Sequence, residues 1–194
     1  SPEVRRRCGV LSGGIGIALN LLLFGGKLLA GILTASIAVT ADAFNNLSDA
    51  ASSIVTLVGF RLAGRAADEE HPFGHGRMEY LAGLAVAMLI LLVGVELGKS
   101  SLEKILHPEP VAFSALSAGI LAVSVGVKLW MFFFNRGLSK AIQSAALAAT
   151  AADSLSDAVA TTTLLLGLLA GHFFRLPLDG WLGLAVALFI LRAG

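Results

Sequence analysis

The sequence predicts an all-α membrane protein, a bundle of six transmembrane helices with both termini cytoplasmic. Three observations predict it. Of 194 residues, 56% are hydrophobic and only 14% charged, with a mean hydropathy of +0.84, where a soluble domain carries about 25% charged residues. Apolar stretches recur six times, each near the roughly 20 residues that a spanning helix needs. Lysine and arginine are also shared unequally between alternate loops. With the N-terminus inside, one side collects Arg5, Arg6, Arg7, Arg61, Arg65, Arg77, Arg136, Lys140 and Arg192, and the other only Lys99, Lys104 and Arg175. The positive-inside bias therefore puts both ends in the cytoplasm.

Taken in order, the first helix is expected over about residues 10–33, interrupted by Lys27. The second, about 36–62, contains Asp42, Asn45 and Asp49. The third, about 78–97, is bounded by Glu79 and Glu96, and an external loop with Pro108 and Pro110 follows it. The fourth, about 113–134, holds Lys128, which is expected to snorkel to the cytoplasmic interface. The fifth, about 139–171, carries Asp153 and Asp157, and the sixth, about 178–191, is the shortest. Gly13, Gly14, Gly25 and Gly26 and the small-residue run 144–163 permit close helix approach in lipid. The whole of 1–194 reads as one transmembrane domain. It stops just as a helix leaves the membrane, and a soluble C-terminal domain is expected beyond it.

Some classes are excluded early. The net charge of +1 is uninformative about partners, but no basic run of nucleic-acid type appears beyond Arg5-Arg6-Arg7, and no nucleic-acid partner is expected. The apolar run after those arginines outlasts a signal-peptide core. A single Cys8 rules out a disulfide framework within the chain and a cysteine-rich metal site.

The chemistry sits in two near-copies of one polar cassette, Asn45-Asn46-Leu47-Ser48-Asp49-Ala50 and Asp153-Ser154-Leu155-Ser156-Asp157-Ala158. Each puts two oxygen-bearing side chains four residues apart, rotated by only about 40° on a helix face. A charge at mid-bilayer costs at least roughly 2.5–3.5 kcal/mol, and by default it marks an ion or proton pathway. The competing reading, polar residues that glue helices together, falls short, because such hydrogen bonds average about 0.6 kcal/mol in membranes. Asn45, Asp49, Asp153 and Asp157 together offer three carboxylates and one amide oxygen. Oxygen ligands suit Mg, Ca and Mn, whereas imidazole and thiolate favour Zn and Cu; the donor set therefore argues for Mn²⁺ over Zn²⁺. Asp42, seven residues before Asp49, reads as pathway lining or an outer support of the site. A second candidate metal set is Asp68, His71 and His75, whose rival reading is a solvated polar loop.

The stretches Ala41-Asp42-Ala43-Phe44-Asn45-Asn46-Leu47-Ser48-Asp49, His71-Pro72-Phe73-Gly74-His75-Gly76-Arg77-Met78-Glu79-Tyr80 and Asp153-Ser154-Leu155-Ser156-Asp157 resemble the cation diffusion facilitator family over essentially the whole chain. The resemblance implies a central transport site at Asn45, Asp49, Asp153 and Asp157. Zinc members typically carry His or Asp at the first of these positions and His at the third. The Asn/Asp/Asp/Asp set here looks like the manganese-exporting branch. The resemblance also implies a loop-borne second site at Asp68, His71 and His75, and a cytoplasmic C-terminal domain through which the full-length protein forms a homodimer.

The expected function is Mn²⁺ efflux in exchange for protons by alternating access. That makes the chain a secondary active transporter rather than an enzyme, seated with its lipid in a bacterial plasma membrane and using no organic cofactor. Three alternatives are weighed beside it. One is a Zn²⁺ or Fe²⁺ transporter of the same fold, and another a metal-sensing or scaffold protein that transports nothing. The third, an intramembrane aspartyl protease, lacks its Gly-x-Gly-Asp stretch.

Overall fold

The structure, a computed structural model, describes residues 2–63, 76–109 and 111–193. It contains six α-helices: α1 Pro2–Thr34, α2 Ile37–Ala63, α3 Gly76–Leu106, α4 Ala115–Ile142, α5 Ala145–Phe174 and α6 Asp179–Ala193. Several outrun the hydropathy boundaries. α3 continues to Leu106 instead of ending near 97, and α4 continues to Ile142 instead of 134. Hydropathy marks where side chains leave the lipid, but backbone hydrogen bonding carries a helix on into the polar interface. Glu96 and Lys99, expected at a helix end, therefore lie exposed within α3.

By length and composition, three helices qualify as spans among the described residues: Arg7–Thr34, Ala115–Ile142 and Leu147–Phe174. α2 is less apolar because it carries Asp42, Asn45, Asn46 and Asp49, and α6 has only 15 residues. The molecule is inverted relative to a soluble one. Leu22, Ile32, Leu92, Val123, Phe133 and Leu166 point outward, while Asn20, Lys27, Asp42, Asn46, Lys128 and Asp157 are buried. Polar groups inside and apolar ones outside are what a lipid solvent demands.

α2 lies at the centre. One side packs with α3 and α6 around Ala41, Ile90, Leu97, Ala187 and Ile190. A second cluster, Ala30, Val39, Leu121 and Leu168, joins α1, α2, α4 and α5. α4 packs closely on α5 and α1 on α2, whereas α2 and α5 touch at few points.

The connections are tight. α1 turns into α2 through Ala35, at φ 51°, and Ser36, whose hydroxyl accepts from Val39 N–H at 3.1 Å. A side chain at Gly31 would put its Cβ 2.9 Å from Thr40 N, so glycine is required at this hairpin. α4 and α5 are separated only by Gln143, in the left-handed region, and Ser144, whose hydroxyl accepts from Leu147 N–H at 3.4 Å.

α6 is fastened to the start of α2. Asp179 accepts from Ile37 N–H at 2.8 Å and from the Ser36 hydroxyl, and it pairs with Lys104 of α3 at 3.1 Å. Gly183 then lets α6 settle on its neighbours: a Cβ there would lie 2.8 Å from Ser101 Oγ and 3.0 Å from Ile37 Cγ2.

Candidate metal centre

The two cassettes meet where α2 faces α5. One carboxylate oxygen from each of Asp49, Asp153 and Asp157 lies within 4.8 Å of the others. Among the described residues, this is the one group of three or more acidic, histidine or cysteine side chains that close together. Asn45 completes the set by donating from Nδ2 to Asp157 Oδ1 at 3.0 Å, which leaves its amide oxygen as the acceptor end. All four residues expected from the sequence are thus within one neighbourhood. Their exposure is graded: Asp157 is buried, Asp49 half-buried and Asp153 exposed. The cluster is open on the side of Asp153, toward the N-terminal end of α5.

Lys128 corrects the sequence expectation. Its ammonium does not snorkel to an interface; the side chain is 1% exposed and reaches into the carboxylates. It donates to Asp157 Oδ2, to Asp49 Oδ2 at 3.4 Å and to Asn20 Oδ1 at 2.7 Å. Asn46 also donates to Asn20 Oδ1, at 3.1 Å, and its own amide oxygen is buried without a hydrogen-bond partner. The signal that places Lys128 inside is a spacing. Ser117, Leu121, Ser124, Lys128, Met131 and Asn135 are all buried on α4, alternating four and three residues apart, which is the stripe of an inward-facing helix seam. A lysine on that stripe cannot reach an interface by straightening. Asn20, on α1, carried no comparable signal in the sequence.

Asp42 belongs elsewhere. It pairs with Lys27 of α1 at 2.8 Å, and both side chains are essentially unexposed. Thr161 of α5 closes the group: its hydroxyl donates to Asp42 Oδ2 at 3.0 Å and accepts from Lys27 Nζ at 2.9 Å. Thr161 is one turn beyond Asp157 on α5, and Asp42 one turn before Asn45 on α2. This group therefore caps the cluster on the face opposite Asp153. Four further hydroxyls of α5 bond within their own helix. Ser154, Ser156, Thr162 and Thr163 each donate to the carbonyl four residues back, so they are satisfied within their own helix.

The second candidate set cannot be compared in this way, since Asp68, His71 and His75 lie outside the described residues. His172 stacks on Phe113 at 4.4 Å between centroids.

Three carboxylates and an amide among membrane helices, with a second charged group sealing one side, make a donor set that suits a hard cation. The sequence comparisons agree. Residues 15–194 match the cation efflux transmembrane domain. The chain is 32% identical over 178 residues to the manganese efflux system protein MneS of Bacillus subtilis, covering 92% of this chain and 61% of that protein. An uncharacterised transporter of Methanocaldococcus jannaschii is likewise 32% identical over 178 residues, with 92% and 63% covered. The magnetosome protein MamM of Magnetospirillum gryphiswaldense is 30% identical, with 93% and 57% covered. The chain belongs to the cation efflux, or cation diffusion facilitator, family, and it is an integral membrane protein. It spans about three fifths of the length of these relatives.

Proposed function

We propose that this chain is the transmembrane domain of a divalent-cation exporter whose cargo is Mn²⁺, moved out of the cytoplasm in exchange for protons. One observation carries the reading: Asp49, Asp153 and Asp157 converge within 4.8 Å, with Asn45 bonded to Asp157. A dication fits three carboxylates and one amide oxygen, with water or backbone carbonyls completing the coordination that a hard cation prefers. The absence of imidazole and thiolate from this set favours Mn²⁺ over Zn²⁺, and the similarity to a manganese efflux protein supports the same choice.

Cargo reaches the cluster past the exposed Asp153, on the side that the lysine and arginine distribution assigns to the cytoplasm. Lys27, Asp42 and Thr161 bar the other side, so that passage outward requires α5 to part from α1 and α2 there. Protons arriving from outside then replace the dication on the carboxylates and return inward. Family membership and this ion-binding role argue for a secondary active transporter rather than an enzyme, working as a homodimer in a plasma membrane.

Metal uptake into proteoliposomes under an imposed pH gradient tests this, comparing Mn²⁺ with Zn²⁺ for wild type and Asp49→Ala. Mn²⁺ flux that needs the gradient and vanishes in the variant is the expected result. Zn²⁺ flux equal to or above that of Mn²⁺ overturns the cargo, and wild-type flux in Asp49→Ala overturns the site.

A further inference from the structure

Lys128 is the one component of the cluster that the transport reading does not use. An ammonium has three N–H donors and no acceptor, and here the three go to Asp157, Asp49 and Asn20. Asp157 is committed on both oxygens: Oδ1 accepts from Asn45 and Oδ2 from Lys128. Each oxygen keeps a further lone pair, so a hydrogen bond alone does not bar a cation from Asp157. The neutral Asn45 amide can stay as a neighbour and offer its oxygen, whereas the ammonium beside Oδ2 bears the same sign of charge as the cargo and repels it.

We propose that Lys128 is a tethered competitor of the transported ion, a specificity-determining residue that a dication displaces from Asp157 toward Asn20. The inference rests on the transport reading. Asn20 makes the displacement feasible, because its amide oxygen, on α1 rather than α5, already accepts from the ammonium at 2.7 Å. In this reading Lys128 changes partners and stays beside the cluster. With the ammonium retained nearby, three carboxylates, one ammonium and one dication sum to zero, so the loaded cluster is neutral among the helices. A free monovalent cation has no such advantage. It would exchange one positive charge for another that is already tethered in place, so the lysine screens out Na⁺ and K⁺.

The test is direct Mn²⁺ binding to the purified full-length protein, read from the electron paramagnetic resonance of free Mn²⁺, with helicity and thermal unfolding followed for each variant. Lys128→Gln should bind Mn²⁺ at least tenfold more tightly than wild type. In that variant, Na⁺ should also compete more strongly than N-methylglucamine at equal ionic strength. A folded Lys128→Gln that binds no more tightly overturns the proposal, since loss of a merely structural group would weaken the site.

Should Lys128→Gln not fold, Asn20→Ala decides the matter. Without the neutral acceptor at Asn20, Mn²⁺ binding should weaken several-fold, and unchanged affinity overturns the proposal. Where both variants fold, the Asn20→Ala loss should disappear in the double variant, because Asn20 acts through Lys128; a loss that persists overturns that role. The two readings fail differently. Wild type that binds no Mn²⁺ overturns the transport site and this inference together. Binding that is lost in Asp157→Ala yet not tightened in Lys128→Gln overturns this inference alone.

Discussion

Two buried lysines on two helices create charge sites of opposite character within about two turns of each other. Around Lys27, the account balances: one ammonium, one carboxylate and one hydroxyl bond one another, with almost no exposure. Around Lys128 it does not. One ammonium faces Asp157 and Asp49, Asp153 stands beside them at the open side, and three carboxyl groups share a single cation. The same residue types are thus used for two purposes, and stoichiometry separates them. A saturated pair locks helices together, while the group with surplus carboxylates is the one proposed to recruit a cation.

The sharpest way to break this comparison is Asp157→Ala, which removes the most buried carboxylate of the surplus site. Gradient-driven Mn²⁺ flux in proteoliposomes should fall to background while the protein still folds, and flux retained at wild-type level would make the surplus irrelevant. Next in size is Asp42→Ala, which leaves Lys27 buried without its countercharge. Breaking one partner of a buried pair costs about 3–5 kcal/mol, whereas replacing both with apolar residues is often neutral. Thermal unfolding in detergent should therefore drop sharply for Asp42→Ala and recover in Lys27→Met/Asp42→Leu. If the double variant is as unstable as the single one, the balanced pair is not the lock inferred here.

A smaller effect is expected from Asp153→His, which puts an imidazole at the open side of the cluster. The ratio of Zn²⁺ to Mn²⁺ affinity, from competition binding, should rise about tenfold, or ~1.4 kcal/mol. An unchanged ratio would remove Asp153 from the ligand set. Smallest is Thr161→Val, which deletes the hydroxyl bridging Lys27 and Asp42. By the usual strength of interhelical hydrogen bonds, it should cost about 0.6–1.7 kcal/mol in the same unfolding assay.

Much of this was legible in the sequence because the signals were chemical. Asp49, Asp153 and Asp157 stand out in apolar surroundings whatever the fold, and their four-residue spacing fixes a shared helix face. Lys128 was misplaced for a different reason. A lysine near one end of an apolar segment satisfies the snorkelling rule, and the stripe from Ser117 to Asn135 that turns it inward only becomes decisive once α4 is known to continue to Ile142. Asn20 was invisible because a lone amide in a helix gives no hint of what it faces. The sequence set Asp42 apart from the four site residues as pathway lining or an outer support, but its partner could not be read. All three share a face of α2, and only the position of Lys27 on α1 divides them.

One feature of the packing bears on how such a bundle moves. α2 and α5 have little surface in common, and the polar links across it are Asn45 to Asp157 and Thr161 to Asp42, with Lys128 of α4 adding a link to Asp49. Cohesion of that kind depends on dryness. At the same separation, the attraction between two charges is about four times weaker in bulk water than at the effective dielectric of a protein. A first water entering the seam therefore lowers the resistance to the next, and the seam favours either a dry, shut arrangement or a wet, parted one over anything between.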